Sequence, residues 1–126
     1  MKSGALIGGI VLGAVVTAAA HHGQAGLFDD TRIVELKGTV KQWSFINPHP
    51  ILVLDAADEK GVRKEWDVYF GPAAVPSLRR QGFSGDTFKV GETVTVKGHP
   101  ATTGSPGVDV LGKGTGVVRA DGRSVP

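Results

Sequence analysis

The chain reads as an all-β protein with one short helix, a small five-stranded barrel behind an N-terminal leader. Three observations carry that reading. Apolar side chains recur at period two in several short runs, as in Val62, Trp66, Val68 and Phe70 alternating with Arg63, Glu65, Asp67 and Tyr69. Nineteen Gly and seven Pro among 126 residues punctuate those runs and form no low-complexity tract. The stretch with helical punctuation lies between Gly71 and Gly82.

The first strand spans Arg32 to Ile46. Leu36, Gly38 and Val40 share one face, whereas Trp43 and Phe45 have the opposite parity. One face cannot bury both sets, so a bulge near Lys41 and Gln42 is expected, because an extra residue switches the inward side. Asn47-Pro48-His49-Pro50 breaks the chain, and Ile51-Leu52-Val53-Leu54 is an apolar run suited to a buried second strand. Asp58-Glu59-Lys60-Gly61 supplies a turn into the third strand, Val62 to Phe70. Pro72, Pro76 and Gly82 then bracket a helix over Val75 to Gln81, with Gly82 past its C-terminus. Thr93-Val94-Thr95-Val96-Lys97 is the fourth strand, with both Val inward. The fifth starts at Val108-Asp109-Val110-Leu111 and continues through Gly112, Gly114 and Gly116 to Val117-Val118, before a turn at Asp121-Gly122. Three strands, a helix and two strands is the order of an oligonucleotide/oligosaccharide-binding (OB)-like barrel.

The first twenty residues have the layout of an export signal: Lys2, an apolar run from Ala5 to Val16, then Ala18-Ala19-Ala20. The extended run Ala5 to Ala20 is shorter than the roughly twenty residues of a bilayer span. Cleavage near Ala20 is therefore expected, with a periplasmic product and no integral membrane span. The chain divides into a signal peptide (1–20), an N-terminal arm (21–31) pinned at Phe28, and the barrel domain (32–126). Fourteen basic against twelve acidic residues, and loss of Lys2 with the leader, leave a net of +1. That is no electrostatic footprint for nucleic acid. There is no Cys, so neither disulfides nor a lipidated N-terminal Cys support this exported domain.

Chemistry-bearing residues are few. The four His are His21 and His22 at the expected new N-terminus, His49 within Pro48-His49-Pro50, and His99 before Pro100. Proline restricts itself and the residue before it, so His49 and His99 have less freedom to lose on capturing a ligand. In an OB-like barrel the loops carrying them flank one binding end. Imidazoles suit Cu or Zn, and a terminal His adds its α-amine as a chelating donor; cleavage one residue earlier would give Ala20-His21-His22, which wraps Cu(II) through backbone amides. His21, His22, His49 and His99 are the candidate metal ligands, set against adventitious binding by a His arm and loop His that bond only backbone. The single Met, Met1, leaves with the leader, so a Cu(I) carrier is not supported.

Asp29-Asp30 could complete such a site, although a surface turn or cap explains paired acids more simply. Trp43 and Asn47 are candidate contacts for a partner or small ligand, and Trp43, Phe45 and Trp66 for a stacking platform, with Trp66 assigned to the core by parity. Gly107 to Lys113 approximates a phosphate-binding loop, but Gly114 stands where Ser or Thr must meet magnesium, and no helix follows. Ser44, Ser77, Ser84, Ser105 and Ser124 lie in no nucleophile elbow, so no hydrolase is nominated and no catalytic residue is assigned.

His21-His22, Phe28-Asp29, Gly38-Thr39-Val40, Asn47-Pro48-His49, Trp66, Gly82-Phe83, Val90-Gly91-Glu92-Thr93-Val94, His99-Pro100 and Asp121-Gly122 form an ordered set. It resembles an uncharacterised family of small exported bacterial proteins, a domain of unknown function. The resemblance implies a periplasmic single-domain β protein beginning near a double His, and supplies no substrate or reaction. Gly23-Gln24, where members often have Ser and Phe, and the Gly-rich last strand depart from the pattern. The function expected is a non-enzymatic periplasmic binding or accessory module, with Cu or Zn as the candidate ligand. The competing readings are a protein-interaction module docking an envelope partner through the Trp43 end, and recognition of a sugar on exposed aromatics.

Overall fold

A computed structural model describes residues 26–126. The elements are β1 (Val34–Ser44), β2 (Ile51–Ala57), β3 (Arg63–Tyr69), α1 (Val75–Arg80), β4 (Thr93–Pro100), β5 (Gly107–Asp109) and β6 (Gly116–Arg119). Residues 1–25, and with them the expected leader, His21 and His22, lie outside the described residues. Among the described residues no helix is long and apolar enough to cross a membrane.

The strands close into the expected five-stranded barrel. β1 pairs antiparallel with β2, β2 with β3, β5 with β4 and β4 with β1, while β3 and β5 run parallel. Closure depends on β1, whose first half (Val34 to Thr39) pairs with β4 and whose second half (Gly38 to Ser44) pairs with β2. A bulge lies where the parity conflict demands it: Val40 pairs with Leu54 but Gln42 with Val53, leaving Lys41 as the extra residue. Val34, Leu36 and Val40 are buried before the bulge, and Trp43 and Phe45 pack on the same core after it.

Helix α1 follows β3 and ends through backbone geometry alone. The Gly82 N–H donates to the Arg79 carbonyl and the Phe83 N–H to the Leu78 carbonyl, each at 3.0 Å. This is the paired bonding of a Schellman end, and its usual apolar contact is supplied by buried Leu78 and Phe83.

The last strand is where the fold departs from expectation. His99 of β4 pairs with Asp109, yet Lys97 pairs with Gly116, so between these pairs the single Gly98 of β4 stands against six residues, 110–115, of the last strand. The surplus forms an excursion that divides one expected strand into β5 and β6. Gly112 (φ +119°) and Gly114 (φ +83°) make the divergence from the ladder, in backbone conformations that side chains disfavour.

Val40, Leu52, Leu54, Val68, Val94, Val96 and Val108 are all but inaccessible. They come from β1 to β5 and fill the barrel, each stabilising by about 1.5–3 kcal/mol when fully buried. Space for a ligand is therefore found on the rim and not through the barrel.

Candidate functional site

His99 is the penultimate residue of β4 and stands opposite Asp109 of β5. Both are nine-tenths buried, His99 at 9% exposure and Asp109 at 7%. In an ordinary barrel strand one of two neighbouring residues faces solvent. Here the outer side is roofed by two segments. One is the arm: the Asp29 N–H donates to the Pro100 carbonyl at 2.9 Å, the Thr102 N–H to the Leu27 carbonyl at 2.9 Å, and the Thr102 hydroxyl to the Gly26 carbonyl at 2.9 Å. Phe28 bridges to Ala101 and packs on Tyr69, ring centroids 5.6 Å apart, which pins the arm as expected. The other roof is the excursion, where a Cβ on Gly112 would lie 3.3 Å from His99 Nε2.

The two nitrogens of His99 are not equivalent. Nδ1 lies 2.7 Å from the Arg32 carbonyl oxygen. A carbonyl only accepts, so Nδ1 carries the proton and Nε2 of the neutral ring keeps its lone pair. Among the described residues Nε2 makes no hydrogen bond. Asp109 is also held by backbone, its Oδ1 accepting from the Gly71 N–H at 2.7 Å. Burial pushes its carboxyl above the usual range, opposed by the N–H groups of Gly71, Leu111 and Val110 and by nearby His99.

Together these groups line a half-open cavity of about 490 Å³, with Phe28, Asp30, Leu111 and Gly112 on its walls and Gly26 at its edge. The lining carries two carboxylates and no Lys or Arg. Asp29 stands apart from this, as the surface turn weighed above: its Oδ1 accepts from the Thr31 hydroxyl at 2.6 Å and the Thr31 N–H at 3.1 Å, bonds that hold its carboxyl below the usual range. Only Asp30 of the pair lines the cavity. A second cavity of about 470 Å³ lies against α1, with Phe70, Leu78, Phe83, Val117 and Val125 among its walls. It is largely an apolar extension of the core.

Of the two described histidines, the structure puts His99 in a built site. His49 is exposed in the β1–β2 loop, outside the lining of the His99 cavity. The two loops do not bring His49 and His99 together as placed. Among the described residues no three His, Cys, Asp or Glu side chains gather closely enough to hold a metal ion, so His99 and Asp109 form a pair and not a closed centre.

Trp43 is not a free platform. Its indole N–H donates to the Ser84 carbonyl at 2.8 Å, and its ring packs against Phe45, Phe70, Phe83 and Phe88 at centroid distances of 5.0–6.4 Å. Trp66 packs on the core with its N–H on the Ala56 carbonyl at 3.2 Å. Asn47 is exposed beside the cis bond to Pro48. Sequence reasoning missed Asp109, because Val108-Asp109-Val110 reads as apolar residues on one face with the Asp outward; the only signal was the Gly-rich segment after it. Asp30, by sequence half of a surface turn, is the acid of the Asp29-Asp30 pair at the cavity.

No curated protein and no solved structure is detectably similar to the chain. A family model does match it over residues 10–109, most of its length, and the chain belongs to that family, DUF6152, a family of unknown function.

Proposed function

We propose that this protein is an exported, non-enzymatic binding module of the periplasm that captures a divalent Cu or Zn ion at the rim cavity. His99 is the anchoring ligand, and His21 and His22 of the mature N-terminus supply further donors. The observation that carries the reading is the buried His99 ring, whose Nδ1 is fixed by the Arg32 carbonyl at 2.7 Å while Nε2 is left uncommitted beside a cavity. Metal-binding histidines are oriented in this way, the second nitrogen donating to a carbonyl or carboxylate. Gly26 lies at the cavity edge, four residues after His22. An extended chain covers about 3.3–3.6 Å per residue, so the His pair is within reach. With Met1 removed and no Cys, the available donors favour Cu(II) or Zn(II) over Cu(I).

Calorimetric titration of the mature chain, its N-terminus verified by mass spectrometry, with Cu(II) and Zn(II) tests this. The expected result is one stoichiometric, submicromolar site that is lost in His99→Ala and retained in His49→Ala. Weak binding unaffected by His99→Ala would overturn the reading and leave only an adventitious His arm.

A further inference from the structure

We propose that Asp109 is the second ligand of this site, so that the cavity takes a divalent cation between an imidazole and a carboxylate, with Asp30 contributing charge at the mouth. This rests on the metal-binding reading and adds to it a residue with no place in the His pattern.

Register comes first. His99 and Asp109 are direct cross-strand partners, an arrangement that holds Cβ atoms about 4.5–5.5 Å apart on one face. Both are nine-tenths buried and both line the cavity. Each is also anchored to backbone by one atom, His99 through Nδ1 on the Arg32 carbonyl and Asp109 through Oδ1 on the Gly71 N–H, each at 2.7 Å. Anchoring of this kind holds metal ligands in orientation before the ion arrives.

Charge is the second argument. Among the described residues Asp109 has no ion-pair partner, although it is the least exposed of the Asp and Glu side chains. Buried charges are ordinarily paired or coordinate metals. Asp30 and Asp109 together offer two negative charges to a cavity without a basic side chain, which matches a divalent cation. One nitrogen and one carboxylate donor suit Zn(II) or Cu(II), while Ca(II) prefers oxygen ligands alone. The pair fills two coordination positions, leaving the others to water.

The test compares the mature wild type with Asp109→Asn, whose amide oxygen retains the acceptor for the Gly71 N–H, and with Asp30→Asn. Cu(II) and Zn(II) affinities are measured by calorimetry, the Cu(II) complexes by electron paramagnetic resonance, and thermal midpoints without metal. Asp109→Asn is expected to weaken binding at least about tenfold and to change the Cu(II) hyperfine coupling, with Asp30→Asn weakening it less. Carboxyl 13C resonances of the wild type, followed during Zn(II) titration, give a readout that needs no variant; the Asp109 signal is expected to shift in proportion to occupancy. A wild-type site of unchanged affinity and spectrum in Asp109→Asn, or an Asp109 carboxyl that does not move at saturating Zn(II), would overturn the assignment of Asp109 alone. Absence of any saturable site in the wild type would overturn the metal-binding reading beneath it.

Discussion

Replacing Gly38 by Ala probes barrel closure at its tightest point. Gly38 pairs with both Ala56 of β2 and Val94 of β4, where β1 passes from one neighbour to the other. A Cβ there would lie 2.7 Å from the Asp55 carbonyl oxygen and 2.8 Å from the Ala56 Cβ, closer than real side chains come. Neither atom is the end of a flexible side chain, so the strands themselves must separate. Overpacking of this kind costs about 1–3 kcal/mol. Against it stands about 0.4–1 kcal/mol gained when Ala replaces Gly in a conformation it tolerates, since the unfolded chain loses freedom. The net expectation is a loss of about 1–2 kcal/mol, or a melting temperature lower by roughly 4–16 °C for a domain of this size. Gly98→Ala is expected to fall in the same range, its Cβ lying 2.9 Å from the Asp109 carbonyl oxygen and 3.0 Å from the Val108 Cβ. Because Gly98 precedes His99, it should also weaken metal binding. Gly85 is the control: a Cβ there meets nothing within 4 Å, so Ala is expected to be neutral or stabilising by up to about 1 kcal/mol. Equilibrium urea unfolding followed by Trp43 and Trp66 fluorescence measures all three. If Gly38→Ala and Gly85→Ala have the same midpoint, the argument from close strand approach is wrong.

Three further outcomes are expected. Trp43→Phe should cost about 1 kcal/mol in urea unfolding, by losing the indole bond to the Ser84 carbonyl, and leave Cu(II) affinity unchanged; weaker metal binding would show that Trp43 belongs to the site. Arg119→Lys should destabilise by about 1 kcal/mol, measured the same way, because a point charge cannot reproduce the fork that reaches both Glu92 oxygens at 2.9 Å and the Thr87 carbonyl at 2.6 Å while lying over Phe88. Asp58 accepts from Lys64 Nζ and from the N–H groups of Lys60 and Val62, each at 2.9 Å, and the Lys64 bond leads in holding its carboxyl below the usual range. A lowered folded-state pKa means stability present above the ordinary carboxylate range and lost as pH falls through the lowered value. The stability gap between wild type and Asp58→Asn, followed by thermal unfolding from about pH 6 to pH 2, should therefore narrow on the acid side.

Local pattern alone determined most of the barrel. Period-two alternation placed β3 and β4, the parity conflict between Val40 and Trp43 located the bulge at Lys41, and Pro76 with Gly82 bounded α1. These features are legible because each depends on neighbouring residues and on which face of one element is wetted. The excursion between β5 and β6 was visible only as a Gly-rich weakness, since the six residues standing against Gly98 of β4 follow from pairing and not from composition. The candidate site was less legible still. Proline made all loop histidines look alike, and only the closed barrel separates exposed His49 from His99, which the arm and the excursion bury over Asp109. Strand parity assumes a face open to water. Here both faces of β5 are covered, one by the core and one by the distant arm together with the excursion that follows β5, so the burial of Asp109 and its meeting with His99 were decided by tertiary structure.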